Sequence, residues 1–412
     1  MQIAGQDLSA QKAYFDGTHR LCEPAETIAR VTPHLARMGI TRVADITGLD
    51  RIGLPVSVAI RPNARALSTS QGKGRTREAA QASALMESIE GWHGERISLP
   101  LRIESWNTMA SERDLPDPLA FGLRADAHLD PALPLVWAKV WDLMTESPAW
   151  VPYETLSTAF VESEDQRPLL LKTTNGLASG NHLLEAIVHA LFELIERDAL
   201  TLASLARAPR RFIAQDMIPD PYFQALAARL DKAGIVMVIE DVTSDLAVPT
   251  FTCEMIDDPR RGNWRALPSA SGHGTHSDFT VALSRAVHEA IQSRVTIISG
   301  SRDDLFPHDY ADALSLEAQL ALTEAANRTQ SWMPPILPTT HMRFEDELQA
   351  LLDRLRALGI DHAYLADLSR DDVGIPVVKL VVPGLEPPRS AVYRPGARAA
   401  SVTAAAAKGR LT

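Results

Sequence analysis

Three times along the 412-residue chain, a glycine-rich turn leads into a helix-forming stretch that carries acids one helical turn apart. The first is Ser70-Gln-Gly-Lys-Gly74, followed by Ser83-Ala-Leu-Met-Glu87-Ser-Ile-Glu90. The second is Asn175-Gly-Leu-Ala-Ser-Gly-Asn181, followed by Ala190-Leu-Phe-Glu193-Leu-Ile-Glu196-Arg197. The third is Ser271-Gly-His-Gly274, followed by Arg285-Ala-Val-His-Glu289-Ala-Ile-Gln292-Ser-Arg294. A period of roughly a hundred residues is too long for a solenoid. The pattern reads as one local design used three times around a common site.

Residues three apart share a helical face. Glu87 with Glu90, Glu193 with Glu196, and Glu289 with Gln292 therefore each aim two oxygen-bearing side chains in one direction. Their neighbours are apolar: Leu85, Met86 and Ile89; Leu191, Phe192, Leu194 and Ile195; Val287, Ala290 and Ile291. Acids on such greasy helices are expected to be partly buried, and a buried carboxylate is costly unless paired or bound to metal. Hard oxygen ligands suit Mg2+, which takes carboxylates together with phosphate oxygens and water. Lys73, Arg197, Arg285 and Arg294 lie close enough in sequence to hold phosphates. Their ordinary alternative is to bridge neighbouring acids. Likewise, the three acid pairs taken singly read as exposed glutamates on unrelated helices; their joint recurrence behind glycines argues otherwise.

Strand character marks Leu54 to Arg61, Leu135 to Trp141, Ile235 to Val242, Thr250 to Ile256 and Ile375 to Val382. Helical period runs over Arg75 to Arg96, Asn181 to Leu205, Pro221 to Ala233, Asp278 to Ser299, Leu314 to Thr329 and Phe344 to Leu358. The two types mix without βαβ alternation, which predicts an α+β fold of mixed sheets with packed helices around a cleft. Met333 to Thr340 and Pro383 to Pro395 read as proline-rich connectors. Residues 1–395 read as a single domain, and 396–412 as a flexible tail.

A formal charge of −11 disfavours a nucleic-acid-coating role. Two cysteines, Cys22 and Cys253, make no disulfide framework and read as small apolar residues in a reducing compartment. No signal peptide or membrane span is evident, so the expected location is the cytoplasm. Walker and dinucleotide glycine patterns are both missing, as is a GxSxG elbow. His273 and His276 resemble zinc spacing but have no cysteine nearby to complete a set.

The acid-bearing segments are also where the sequence resembles the YcaO family. The resemblance is carried by Asp50 to Ala59, Ser70 to Glu90, Asn175 to Asp198, Ser271 to Asp304 and Val381 to Arg389, in order along nearly the whole chain. It implies an enzyme that uses ATP and Mg2+ to phosphorylate the oxygen of a peptide amide under attack by a nucleophile. It assigns nucleotide contacts to Ser83, Glu87, Glu90, Asn181, Glu185, Arg197, Arg285, Gln292 and Arg294. Arg20 and Thr27 join them from residues 1–60, as phosphate and nucleoside contacts. Metal ligation falls to Glu87, Glu90, Glu193, Glu196 and Glu289, with Glu193, Arg197 and Glu289 at the chemistry. The resemblance further implies a homodimer. The chain ends AAAAKGRLT, without the proline-rich tail of many azoline-forming members. That departure favours thioamide formation with sulfide and a TfuA-type partner. Azoline formation, an accessory role in ribosomal-protein methylthiolation and a non-catalytic nucleotide-binding scaffold are the alternatives.

Overall fold

After two short antiparallel strand pairs within its first twenty residues, the chain forms a short helix, α1 (Pro24–Val31), and then lays down an antiparallel sheet of β1 (Arg42–Asp45), β2 (Val56–Ile60) and β3 (Thr69–Lys73). This architecture is that of a computed structural model, which describes all residues except 16, 113–114, 162–166, 207–208, 263, 266, 312–315, 328–331, 335–340 and 409–412. Most of the connector expected over Met333 to Thr340, and the ends of the helix expected over Leu314 to Thr329, lie outside the described residues.

Three strand–helix units organise the rest. From β3 the chain passes directly into α2 (Arg77–Gly94), whose first turn is capped by the Thr76 side chain accepting from the Ala79 N–H at 3.1 Å. The second unit has a hairpin of β4 (Pro134–Asp142) and β5 (Ser147–Pro152), then β6 (Leu177–Ser179) leading into α3 (Leu183–Leu205). The third is a meander of β7 (Ile235–Asp241), β8 (Thr250–Asp257) and β9 (Ala270–Thr275), continuing into α4 (Phe279–Ser299) behind an Asp278 cap. After them come α5 (Phe344–Ala357), β10 (Tyr364–Asp367) and β11 (Val377–Val381). The last two strands slot into the second sheet, giving the order β5-β4-β10-β11-β6, all antiparallel. Helices and antiparallel sheets thus share the fold, as the α+β reading expects; the sheets, expected to be mixed, are antiparallel in every described pair of strands.

Glycine placement corrects one sequence expectation. Only Asn175–Gly180 contains a turn that needs a glycine: Gly176 has φ +80°. Ser70–Gly74 and Ser271–Gly274 lie in and beside strands instead. Their glycines serve close approach, not turning. A Cβ built on Gly72 would stand 2.1 Å from Ala80 O and Ala84 N, and one on Gly272 would stand 2.1 Å from Ala290 N and 2.4 Å from Ala286 O. Each G-x-G strand therefore lies with its backbone directly on the helix that follows, across a row of alanines.

The units also interlock in a ring. Helix α2 touches β6 of the second unit, α3 touches β9 of the third, and α4 touches β3 of the first. Apolar clusters behind each helix hold it in place. Leu85, Ile89 and Trp92 of α2 pack on Trp137 of β4; Leu191 and Ile195 of α3 share a core with Leu348 and Leu352 of α5; Val287 and Ile291 of α4 pack with Phe251 and Met255 of β8. The expected loose tail is instead a helix, α6 (Ala397–Lys408). Its alanine run has high helix propensity. Arg398 fixes it to Asp198 at 2.9 Å and to Asp245 at 2.6 Å, and Glu386 accepts from the Ala399 N–H at 2.8 Å. Among the described residues no helix is long and apolar enough to cross a membrane.

The close strand–helix contact predicts that Gly272→Ala destabilises the protein by about 3 kcal/mol in urea unfolding, because backbone rather than a yielding side chain meets the new methyl. Gly48→Ala, where a Cβ meets nothing within 4 Å, stays within about 0.5 kcal/mol of the parent. Equal effects from the two substitutions would contradict this packing.

Candidate active site

Alternation along the two G-x-G strands decides what faces the centre of the ring. At the end of β3, Gly72 and the following Gly74 face their own helix, so the intervening Lys73 points the other way and reaches Glu289 of α4, Nζ to Oε2 2.8 Å. In β9, His273 occupies the corresponding place between two glycines, close enough to feel the charges of Glu289 and Arg197. In the second unit, Ser179 of β6 donates both its backbone N–H and its hydroxyl to Glu90 Oε1 of α2, each at 2.7 Å. Strands β3 and β6 thus each hand a polar group to an acid-bearing helix of another unit.

The result is that five carboxylates from three helices share one space. Glu87 and Glu90 come from α2, Glu193 and Glu196 from α3, and Glu289 from α4. Glu90 feels the charges of Glu87 and Glu193, Glu193 that of Glu289, and Glu87 that of Glu289. Burial pushes Glu90 up to about 8 and Glu196 up to about 7, in each case against the pull of nearby donors or cations. Glu193 is raised by burial too, while Arg197, Lys379 and Arg285 oppose the rise. Burial also presses on Glu289, but Lys73 and Arg197 overcome it and hold its carboxyl well below the usual range. Glu87 is the most solvent-exposed of the five, which weakens the upward push of its protein surroundings.

Cationic groups are interspersed with the acids. Arg197 lies 4.0 Å from Glu193 and 3.8 Å from Glu196, too far for tight pairing. Arg285 is held by His189 Nε2 at 3.1 Å, and burial together with the Arg285 charge keeps that imidazole neutral. The Gln292 amide donates to Gln71 O at 3.3 Å, and Ser83 lies one turn before Glu87 on α2. A second group borders this centre at the start of α3. Arg20 meets Glu185 at 3.4 Å, Thr27 bonds the Asn181 side chain, and an open cleft runs from Arg20 and Glu185 past His189 to Arg285.

Arg294, expected among the phosphate contacts, is a correction. Five residues beyond Glu289, it is turned about 140° around the helix from that acid. It is 1% exposed and locked between Asp50, at 2.9 Å, and Asp257. Its charge is spent on joining the first and third units. Cys253 is fully buried in β8, whereas Cys22 is only partly buried and lies 3.6 Å from the Thr27 hydroxyl.

One residue escaped the sequence reading altogether. Lys379 of β11 is 1% exposed and donates to the backbone carbonyls of Thr173 at 2.6 Å and Asn175 at 2.7 Å, beside Glu193. Burial pulls its amine down to about 7. A single lysine inside the apolar run IPVVKLVV was the signal that it points inward.

Divalent cations suit this arrangement. Every acid donor is oxygen, and Glu196 Oε2 is buried without a hydrogen-bond partner. Among the described residues no three acids, histidines or cysteines form a finished metal cage. Mg2+ does not require one, since it binds through one or two carboxylates and completes its shell with phosphate oxygens and water. Glu87, Glu90, Glu193, Glu196 and Glu289 would supply the carboxylates to such cations, and Lys73, Arg197 and Arg285 would be the cationic groups for the phosphates.

Residues 71–386 match the profile of the family described as YcaO cyclodehydratase, ATP- and Mg2+-binding. A protein encoded in the tfuA 3′ region of Rhizobium leguminosarum bv. trifolii is 32% identical over 406 residues, covering 95% of this chain and 94% of its own. YcaO from Methanopyrus kandleri, solved with AMPPCP and Mg2+, superposes with a TM-score of 0.69 at 20% identity, over 94% of this chain and all of that one. A heterocyclase solved in complex with substrate and cofactor gives a TM-score of 0.76 at 21% identity, over 93% of this chain and 54% of the heterocyclase. At these identities the two structures speak for the fold alone. The family profile spans all three strand–helix units and the acids they bring together, and the chain belongs to the YcaO family.

Proposed function

We propose that this protein activates a backbone amide of a peptide by ATP-dependent phosphorylation of the amide oxygen, so that sulfide replaces that oxygen and a thioamide forms. The observation that carries the reading is the convergence of five carboxylates and three cations from three units that are far apart in sequence. In the overall reaction hydrosulfide adds to the amide carbon, the oxygen takes the γ-phosphoryl group, and the C–O bond breaks to release phosphate. Peptide amide, hydrosulfide and ATP become thioamide, ADP and phosphate. Bound Mg-ATP supplies the phosphoryl group that turns a poor leaving oxygen into a good one.

The chain's own residues then have positional and electrostatic work. Glu193 and Glu289 fix the cation side of the phosphates, Arg197 and Arg285 neutralise charge that develops as the phosphoryl group moves, and the apolar faces of α2, α3 and α4 keep bulk water out. No side chain is required to form a covalent intermediate. Kinship with a protein encoded beside tfuA supports a TfuA-type partner that delivers sulfide. The family's cyclodehydratase description favours a second reading, in which a cysteine, serine or threonine of the peptide is the nucleophile and an azoline results.

Two outcomes follow. Glu193→Gln lowers phosphate release from Mg-ATP, assayed with peptide, sulfide and partner, by at least about a hundredfold; equal release by both proteins would remove the mechanism. In the same reaction, mass spectrometry separates exchange of oxygen for sulfur from loss of one water. The second outcome concerns stability. Glu90 and Glu196 have folded-state values raised from 4.5 to about 8 and about 7. Between those limits the native state binds more protons than the unfolded chain, so stability is highest below the unfolded value and falls as pH rises through the folded ones. Calorimetry without magnesium should show the melting temperature of the parent falling more steeply, or rising less, across about pH 5 to 8 than that of a variant carrying both Glu90→Gln and Glu196→Gln, and Mg-ATP should remove that excess slope from the parent. A slope unchanged by Mg-ATP contradicts cation binding at these acids.

A further inference from the structure

Beside Glu193, and lined by its neighbour Leu194 on α3, lies a separate open pocket. Phe121, Leu171, Leu194, Leu380 and Leu385 give it apolar walls, and its polar lining includes Lys379, Asn175 and Glu386. Most of that polarity is already committed. Lys379 donates to the carbonyls of Thr173 and Asn175. Glu386 accepts from the Tyr393 hydroxyl and the Gly396 and Ala399 N–H groups. Thr155 donates to Pro152 O, and the Thr173 hydroxyl accepts from the Asn175 N–H.

Asn175 is the exception. It is 8% exposed, and its side-chain Oδ1 is buried with no hydrogen-bond partner. An unmatched buried amide carries a cost that a ligand donor would remove. The position of the pocket makes such a ligand relevant to the chemistry: Lys379 lines it and also acts on Glu193, and Leu194 lines it from the residue next to that acid.

We propose that this pocket seats one peptide group of the acceptor polypeptide, with Asn175 pairing to its backbone amide and the leucines enclosing an adjacent apolar side chain. The proposal deepens the peptide-amide reading above and rests on it. A carboxamide is the natural complement of a peptide group, since each presents one carbonyl and N–H donors. Hydrosulfide fits worse, because Lys379, the one basic side chain among the described lining residues, already donates to the carbonyls of Thr173 and Asn175. Apolar walls with a single oriented polar group are also the general character of a small-ligand subsite.

The probe is N-acetyl-leucine N-methylamide, one apolar side chain between two peptide groups, titrated into full-length protein with methyl-labelled leucine and followed by NMR. The expected result is a saturable shift of the Leu171, Leu380 and Leu385 methyls. Asn175→Ala should weaken probe affinity by about tenfold, and Leu171→Trp, which fills the pocket, should abolish the shifts. Both variants should keep Mg-ATP affinity within about twofold of the parent, which shows that they fold. Loss of Mg-ATP binding by the parent protein itself would count against the ATP reading and not against this pocket. Shifts confined to other leucines, an Asn175→Ala affinity equal to the parent's, or no shift up to the probe's solubility limit would overturn the proposal.

Discussion

Everything in this molecule follows from backbone lying on backbone. Two strands approach the helices after them so closely that a single methyl group on Gly72 or Gly272 would fall 2.1 Å from helix main chain. That contact fixes strand and helix as a rigid pair. It also settles orientation, because a strand whose glycines face one helix must send the residue between them the opposite way. Lys73 and His273 are those residues. Their direction toward the shared centre is a consequence of the glycines, not an independent feature.

Once the three pairs interlock, the electrostatics are dictated. Carboxylates that lie on separate helices in sequence are brought into a space where burial raises Glu90, Glu193 and Glu196. Protein cations are too few and too distant to settle that charge. Lys73 satisfies Glu289, but Arg197 remains 3.8 to 4.0 Å from the two acids of its own helix. A site left in this state is destabilised relative to a neutral core, and such tension is typical of places where function overrides stability. Added divalent cations resolve it. The buried Arg294 network is the contrasting case: there Asp50 and Asp257 each meet a guanidinium directly, and the ion pairs hold units together.

Much of this was legible in the sequence because the signals were periodic. The helices at Arg77–Gly94, Leu183–Leu205 and Phe279–Ser299 coincide closely with the stretches of helical spacing, and β7, β8 and β11 with the β-branched runs. The acid pairs announced themselves by their spacing within apolar surroundings. What sequence spacing could not convey was depth. Glycine near a helix start suggests a turn, and only the three-dimensional contact shows that Gly72 and Gly272 are there for lack of a side chain. Arg294 looked like its neighbours Arg285 and Gln292 until helical phase turned it to Asp50 and Asp257. The alanine run at the C-terminus has no amphipathic pattern to signal docking, so the anchoring by Arg398 came from tertiary pairing alone. Lys379 stood out only as a charge in a buried strand, a position without meaning until Glu193 was placed beside it.

The central claim is that these carboxylates gather around divalent cations held against a triphosphate. A crystal structure with a non-hydrolysable ATP analogue and Mn2+, read from the anomalous scattering of the metal, tests it directly. The account predicts manganese peaks among Glu87, Glu90, Glu193, Glu196 and Glu289, with the phosphates toward Arg197 and Arg285. Nucleotide and metal bound elsewhere, with those five side chains left free of metal, would contradict it.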